Sequence, residues 1–308
     1  MRTKIHPHPR FRTQTCKIGT FRSTSHERNQ YTRPLFRVYE RKSGRTSMKI
    51  VAITNQKGGV GKTTTAVNLA ASFAQLGLRA LLIDLDPQGN ATTGAGVTKR
   101  KALPTVYQVL LGQVSLSDAC LKTEFGFDLL PANRDLAGAE VEVVELDRRE
   151  YRLADALQDA PYDFILVDCP PALNMLTVNG LVAADCAVIP MQCEYYALEG
   201  LSDLVETLKK VRVRLNTRLE IEGLLRTMYN PQSTLAQQVS GELERHFGKK
   251  LYETIIPRNV RLAEAPSYGK PALFFDRTSR GAQAYLELAG EMLRRFGMET
   301  TPVKDENA

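Results

Sequence analysis

Long apolar runs are missing from the sequence, which has neither a stretch that could cross a membrane nor a signal-peptide core. Its five cysteines form no C-x-x-C pair and no Cys/His set with the spacing of zinc ligands. These absences predict a soluble, cytoplasmic protein with free thiols. No segment rich in Pro, Gly or Ser divides residues 48–308, so we expect a single domain there.

Acidic side chains are scarce in the first 47 residues, which hold 12 Lys or Arg but only two Glu. This segment alone carries a formal charge of +10, so the rest of the chain sums to −3 although the whole chain has +7. Its low apolar content predicts a disordered extension at residues 1–47. It could be a basic arm for nucleic acid or an organelle transit peptide, but we favour a translation start at Met48.

From Met48 onward, runs rich in Val, Ile and Leu alternate with helix-length periodic segments, which is typical of βαβ units. The predicted fold class is α/β, a doubly wound and mostly parallel sheet with helices on both faces. Strands are predicted at residues 49–54, 80–84, 127–131, 164–168, 187–190, 221–229 and 252–257. Helices are predicted at residues 62–76, 133–146, 148–159, 174–184, 197–215, 234–247 and 279–296.

A glycine-rich segment with two lysines, Lys-Gly-Gly-Val-Gly-Lys-Thr-Thr at residues 57–64, separates the first strand from the first helix. We call it the phosphate loop, because this context favours backbone N–H groups that surround phosphates at a helix N-terminus. Lys62 is predicted to reach the terminal phosphates and the Thr63 hydroxyl to ligate Mg²⁺. The pattern G-x-x-x-x-G-K-[ST] is imperfect, because Gln56 occupies its first glycine position. The alternative is a glycine-rich turn that only connects strand to helix.

The phosphate loop resembles the deviant Walker A motif of the ParA/MinD superfamily of P-loop NTPases. Residues 84–92, 165–171, 192–201 and 256–267 resemble further motifs of that family, the last two of its chromosomal ParA (Soj) branch in particular. The resemblance covers nearly all of residues 48–308 and nothing before them. It implies ATP and Mg²⁺ as cofactors, with nucleotide contacts from Lys57, Gly58, Gly59, Val60, Gly61, Lys62, Thr63, Thr64, Pro257 and Asn259.

The resemblance also implies how the side chains divide the work of ATP hydrolysis. Asp86 would orient the attacking water, while Asp168 would hold the metal through a water beside Thr63. Lys62 would supply charge within the subunit, and Lys57 would act in trans on the partner's nucleotide, so that hydrolysis requires a homodimer. A solvated surface lysine is the alternative for Lys57. Asp84 is either a second site carboxylate or a structural acid at a strand end.

Candidate DNA contacts lie in residues 209–280, which carry a local charge of +7. On the helix at 197–215, cationic side chains avoid a stripe formed by Leu204, Leu208, Val211 and Leu215. Lys210 and Arg214 stand one turn apart and repel each other unless an anion such as a DNA phosphate lies over them. Lys209 belongs to the same group, and a solvated helix face is the alternative. The resemblance adds Arg261, whereas Gln232 stands where relatives can have Arg.

The function implied is a partition ATPase whose ATP-bound homodimer binds double-stranded DNA without sequence preference at the nucleoid. A ParB-type centromere-binding protein would release it by stimulating an otherwise weak hydrolysis. One alternative is a MinD-like regulator of cell division recruited to membranes, but residues 300–308 are polar and offer no amphipathic anchor. Another is a redox relative such as a nitrogenase iron protein, although buried structural thiols explain Cys169, Cys186 and Cys193 more simply.

Overall fold

The computed structural model describes residues 48–195 and 197–298, so the predictions for residues 1–47 and 300–308 lie outside the described residues. Within these ranges, seven strands form one sheet in the order β3-β4-β2-β5-β1-β6-β7. All neighbouring strands are parallel except β3 and β4. The strands are β1 (Lys49–Ile53), β2 (Ala80–Asp84), β3 (Leu121–Lys122), β4 (Asp128–Leu130), β5 (Phe164–Asp168), β6 (Cys186–Gln192) and β7 (Glu220–Thr227).

Helices connect the strands and follow the last of them. They are α1 (Lys62–Gln75), α2 (Asn90–Gly94), α3 (Val106–Leu110), α4 (Leu116–Ala119), α5 (Leu136–Glu142), α6 (Arg152–Ala156), α7 (Met175–Ala183), α8 (Ala197–Arg214), α9 (Thr234–Phe247), α10 (Val260–Glu264), α11 (Ala272–Phe275) and α12 (Arg280–Arg295). Short 3₁₀ turns occupy Val143–Glu145, Gly248–Lys250 and Ala265–Tyr268. No helix in the described ranges is long and apolar enough to cross a membrane.

Both faces of the sheet are buried, which explains why its strands are nearly continuous apolar runs. Along β1, Ile50 and Ala52 pack into the core shared with α3 and α5–α9, while Val51 and Ile53 pack into the core shared with α1 and α10–α12. The alternation follows from the two-residue period of a strand. The predicted α/β fold class, with helices on both faces of a mostly parallel sheet, is confirmed.

The strand predicted at residues 252–257 is wrong. The chain there makes only isolated bridges to β7 and to Tyr229, at Leu251 and Pro257. The Glu291 carboxylate instead accepts hydrogen bonds from the Glu253 and Thr254 N–H groups, both at 2.9 Å, so these donors cannot join a ladder. Two predicted helices are shorter than expected, since residues 133–146 contain only α5 with a 3₁₀ turn, and residues 148–159 contain only α6.

Candidate active site

The carboxyl ends of three neighbouring strands bring the predicted acidic residues next to the phosphate loop. Asp168 ends β5 and lies in register with Ile53 at the end of β1 on one side and with Asp84 at the end of β2 on the other. The phosphate loop leaves the sheet just after Ile53. Ligands of open α/β sheets bind at this edge of the strands, so the topology places the predicted site where such sites occur.

Left-handed glycines shape the phosphate loop. Gly59 and Gly61 have φ values of +74° and +90°, a region in which a side chain would be strained. Gly61 precedes α1 and offers no side-chain cap, so the first N–H groups of a 14-residue helix remain available to an anion. The Lys62 ammonium folds back over the loop and donates to the Lys57 carbonyl oxygen at 3.1 Å.

Side chains from neighbouring strands hold the loop in place, and the motif itself did not reveal them. Thr227 on β7 donates to the Val60 carbonyl at 2.8 Å, and Gln192 on β6 donates to the Gly59 carbonyl at 3.1 Å. Asn55, just before the loop, donates to the Pro190 carbonyl at 2.8 Å. The loop is therefore rigid before a nucleotide arrives, which lowers the entropy cost of binding.

Asp168 is a buried acid at the carboxyl end of β5. Both of its carboxylate oxygens are buried and accept no hydrogen bond from the described residues. Burial, followed by the negative charge of Asp84, raises the pKa of Asp168 well above its usual value. A buried charge requires an opposite charge, and Mg²⁺ prefers oxygen ligands. Because the Thr63 side chain also faces this carboxyl group, the residues present fit a magnesium ion.

The Lys62 side chain is also almost entirely buried. Burial lowers the pKa of Lys62, while the negative charge of the nearby Asp168 opposes this shift. The ammonium group therefore lies in a poorly solvated environment, where its attraction to a phosphate is stronger than in water.

Asp84 and Asp86 stand two residues apart in very different surroundings. Asp84 is fully buried and accepts hydrogen bonds from the Thr92 N–H and hydroxyl groups at 2.7 and 2.8 Å, while burial raises its pKa to about 6. These contacts indicate the structural alternative for Asp84. Asp86 is half-buried, and one of its oxygens accepts the Gln88 N–H at 2.9 Å. Its other oxygen accepts nothing from the part of the chain described.

Lys57 points away from the interior of the phosphate loop. Its ammonium lies 2.5 Å from a carboxylate oxygen of Glu194, and both side chains are about half exposed. Lys57 therefore does not duplicate Lys62, which lies inside the loop. Its position at the exposed rim is open to a second molecule.

The residues predicted to contact the base lie next to the phosphate loop. Pro257 and Asn259 line a cavity of about 180 Å³ together with Gly61 and Thr64 of the loop. Met228 and Tyr285 line it as well, and sequence reasoning did not find them. Met228 has a φ of +49°, which is strained for a side-chain-bearing residue and frequent at functional sites. The Tyr285 hydroxyl lies 3.1 Å from the Thr65 hydroxyl and so ties α12 to α1.

The candidate DNA contacts differ in how their charges are compensated. Arg261 is paired twice, with Glu264 at 2.9 Å and Asp276 at 3.2 Å. Lys210 is paired with Glu206 at 2.8 Å. Glu206 on the same helix therefore reduces the repulsion expected between Lys210 and Arg214, and contact of these residues with DNA stays a prediction. Lys209 and Arg214 are exposed and form no ion pair with the residues described here.

The thiols of Cys169, Cys186 and Cys193 are buried, and burial raises the pKa of each. Such thiols remain protonated and are poor ligands for a metal cluster. This environment favours the structural interpretation of the cysteines.

The sequence of this chain is similar to a known protein family and to proteins of known name. The family described as AAA domain matches residues 48–221. The chain is 51% identical to the chromosome partitioning protein ParA of Caulobacter vibrioides, a match that covers 80% of this chain and 95% of that protein. It is 53% identical to the sporulation initiation inhibitor protein Soj of Bacillus subtilis, with 79% and 98% covered.

Solved structures with the same fold contain nucleotide and magnesium. The cobyrinic acid a,c-diamide synthase of Mycobacterium smegmatis, with bound ADP and magnesium, is 36% identical with a TM-score of 0.72, covering 83% of this chain and 99% of that chain. The septum site-determining protein MinD of Pyrococcus horikoshii, complexed with Mg-ADP, is 28% identical with a TM-score of 0.65, covering 79% and 95%.

Proposed function

Since the chain belongs to the ParA/Soj family of chromosome-partitioning ATPases, we propose that it hydrolyses ATP to ADP and phosphate to drive DNA segregation. The observation that carries this proposal is the convergence of the phosphate loop, Asp86 and the buried Asp168 at one edge of the sheet. Phosphoryl transfer to water requires positive charge around the γ-phosphate and an aligned water, and these residues supply both.

Each residue of the site has a distinct part in hydrolysis. Backbone N–H groups of residues 58–64 and the Lys62 ammonium bind the phosphates. Thr63 and Asp168 would hold Mg²⁺, which would supply further positive charge at the phosphate oxygens. Asp86 accepts a hydrogen bond from the attacking water and orients it, because one of its oxygens accepts no hydrogen bond from the described residues. Pro257 and Asn259 contact the base.

Dimerisation completes the site. Lys57 leaves Glu194 and reaches the nucleotide of the partner subunit, which makes basal hydrolysis weak and dimer-dependent. Exposed ion pairs contribute only about 0.2–1 kcal/mol, so releasing Lys57 costs little compared with its contact to a phosphate.

DNA binding follows from the exposed cations. The ATP-bound dimer presents Lys209, Lys210, Arg214 and Arg261 to double-stranded DNA, which holds the protein at the nucleoid in the cytoplasm. Backbone contacts carry no sequence preference and weaken with salt through counterion release. A ParB-type centromere-binding protein stimulates hydrolysis and thereby releases the dimer.

The MinD-like alternative receives no support from α12. Its apolar side chains Tyr285, Leu288, Met292 and Leu293 are buried against the core. This helix therefore has no apolar face left for a membrane surface.

The test is ATP turnover measured with and without duplex DNA and the ParB-type partner. Asp86→Ala is expected to retain ATP binding and ATP-dependent dimerisation while losing turnover, and Lys62→Ala to lose nucleotide binding. Glu124→Ala, which removes an exposed acid from the β3–β4 turn, is the control and should behave as wild type. Wild-type turnover by Asp86→Ala would refute the assigned role.

A further inference from the structure

A second cationic cavity lies at the same edge of the sheet as the proposed ATP site, on the side of β4. Its volume is about 240 Å³, and it is lined by Lys99, Arg100, Asn133, Arg134 and Asp135. Residues 131–135 follow the carboxyl end of β4, next to β2 and the Asp86 segment. None of these five residues belongs to the ATP site described above.

The three cations that line this cavity outnumber its one carboxylate. Lys99, Arg100 and Arg134 form no ion pair with any carboxylate in the described ranges. Asp135 is the one acid among the lining residues, and its carboxylate accepts the Asn133 side-chain amide at 3.1 Å. By contrast, Arg79, Arg148 and Arg261 elsewhere on the surface each pair with a carboxylate. Three like charges around one cavity repel one another unless an anion lies between them.

Hydrogen bonds connect this cavity to the chain segment that contains Asp86. The Lys99 ammonium donates to the Gln88 carbonyl at 2.6 Å, and the Gln88 N–H in turn binds Asp86. Gly89 has a left-handed backbone conformation and lies between Ala132 and the Lys99 side chain. A Cβ at this position would lie 2.9 Å from the Ala132 carbonyl oxygen and 3.0 Å from Lys99 Cδ. The Lys99 side chain is therefore connected by hydrogen bonds to the backbone next to Asp86.

We propose that this cavity is a second phosphate-binding site, in which Lys99, Arg100 and Arg134 bind one phosphate group. All five lining side chains are polar or charged, and none offers an apolar surface for a base, so the cavity fits a phosphate group rather than a nucleotide. Guanidinium groups bind phosphate oxygens through paired N–H donors. The Lys99 ammonium has donors for both the phosphate and the Gln88 carbonyl, so an occupied site steadies the Asp86 segment.

Phosphate binding itself does not depend on the proposed ATPase function, whereas its effect on turnover rests on that function. The phosphate group has two possible sources, the backbone of DNA and a free phosphate. Both present the same oxygens to the cavity, and the arms of the experiment separate them.

Isothermal titration with inorganic phosphate at constant ionic strength tests the site in the full chain without nucleotide. The parent protein carries Lys62→Ala to weaken the phosphate loop. Adding Arg100→Gln and Arg134→Gln is expected to reduce phosphate affinity at least about tenfold. Adding Lys249→Gln and Arg294→Gln instead removes the same charge at two other exposed positions and should change it less than about twofold. Equal effects of the two pairs would overturn the proposal.

Hydrogen exchange tests the connection to Asp86. Phosphate is expected to slow exchange of the Gln88 amide in the Lys62→Ala parent but not after Arg100→Gln and Arg134→Gln. An exchange rate that phosphate leaves unchanged in the parent would refute the connection.

Duplex DNA identifies the source, using ATP and an otherwise wild-type chain. If Arg100→Gln with Arg134→Gln weakens DNA binding and reduces the salt slope by about two, the DNA backbone supplies the phosphate. If DNA binding is unchanged while affinity for inorganic phosphate falls, the site serves a free phosphate. Loss of ATPase activity in the wild-type background would not affect the titration, so the two proposals fail separately.

Discussion

Two aspartates in one short segment have opposite environments because of what each side chain touches. Asp84 ends a strand inside the sheet, where Thr92 satisfies its carboxylate and burial raises its pKa to about 6. Asp86 follows after the chain has left the sheet, and it is half-buried. Sequence spacing alone could not separate these roles, because both residues are acids at the end of an apolar run.

Thr92 supplies two of the hydrogen bonds that the Asp84 carboxylate accepts. Its hydroxyl donates to Asp84 at 2.8 Å and accepts the Ala132 N–H at 2.9 Å, in a fully buried position. Thr92→Val keeps the shape but leaves the Ala132 N–H unpaired, so we expect a loss of about 1–3 kcal/mol in the free energy of unfolding. Urea denaturation measures it.

Thr93→Val is the matched control, because the neighbouring hydroxyl is exposed and bonds only to the Gly89 carbonyl. It should change stability by no more than about 0.5 kcal/mol. Equal losses in the two variants would show that the hydroxyl bonds of Thr92 are not what matters.

At the scale of elements, α12 positions the chain segments that line the cavity of Pro257 and Asn259. Glu291 on this helix binds the Glu253 and Thr254 N–H groups, and its Oε1 also accepts a hydrogen bond from Arg295 at 2.7 Å. One helix thus holds both the segment that leads to Pro257 and, through Tyr285, the start of α1. These contacts explain why residues 252–257 are not a strand in spite of their apolar pattern.

Glu291→Gln replaces one acceptor by an N–H donor that faces a backbone N–H. We expect about 1–3 kcal/mol less stability and a higher KM for ATP with a smaller change in kcat, because the base contacts shift while the phosphate loop does not. Glu287→Gln, on the exposed side of the same helix, is the control and should leave both constants unchanged. A selective fall in kcat would contradict a positioning role.

The exposed face of α8 is the element expected to meet DNA. Lys209 and Arg214 have no carboxylate partner in the described ranges, so Lys209→Gln with Arg214→Gln should weaken DNA binding and lower the salt slope by about two. Fluorescence anisotropy at several salt concentrations measures both. Lys122→Gln with Arg148→Gln makes the same change in net charge elsewhere, and an equal effect of this pair would point to general attraction rather than to α8.

At the scale of the whole molecule, the sequence predicted what depends on local pattern and motif. It located the phosphate loop and, among the described residues, six of the seven strands and seven of the twelve helices, because each follows from periodicity and glycine placement. It did not find the short helices α2, α3, α4, α10 and α11, each of four or five residues. It missed the hydrogen bonds of Thr227 and Gln192 to the loop and the positions of Met228 and Tyr285 at the cavity, since these depend on how strands and helices pack together. It did not predict that Lys210 pairs with Glu206, because this pairing depends on a rotamer that spacing does not specify.

Complementation between two inactive variants tests whether Lys57 works across a dimer. Lys57→Ala leaves its subunit with an intact Asp86, and Asp86→Ala leaves its subunit with an intact Lys57. If Lys57 acts in trans, a heterodimer has one complete site, because the Asp86→Ala subunit lends its lysine to the partner's nucleotide. Random mixing at equal concentrations makes half of the dimers mixed, so turnover should recover to on the order of a quarter of wild type. If Lys57 acts within its own subunit, no site is complete and the mixture stays inactive.

Lys62→Ala mixed with Asp86→Ala is the control. Lys62 acts within its own subunit, where its ammonium lies over the phosphate loop, so this mixture should recover no turnover.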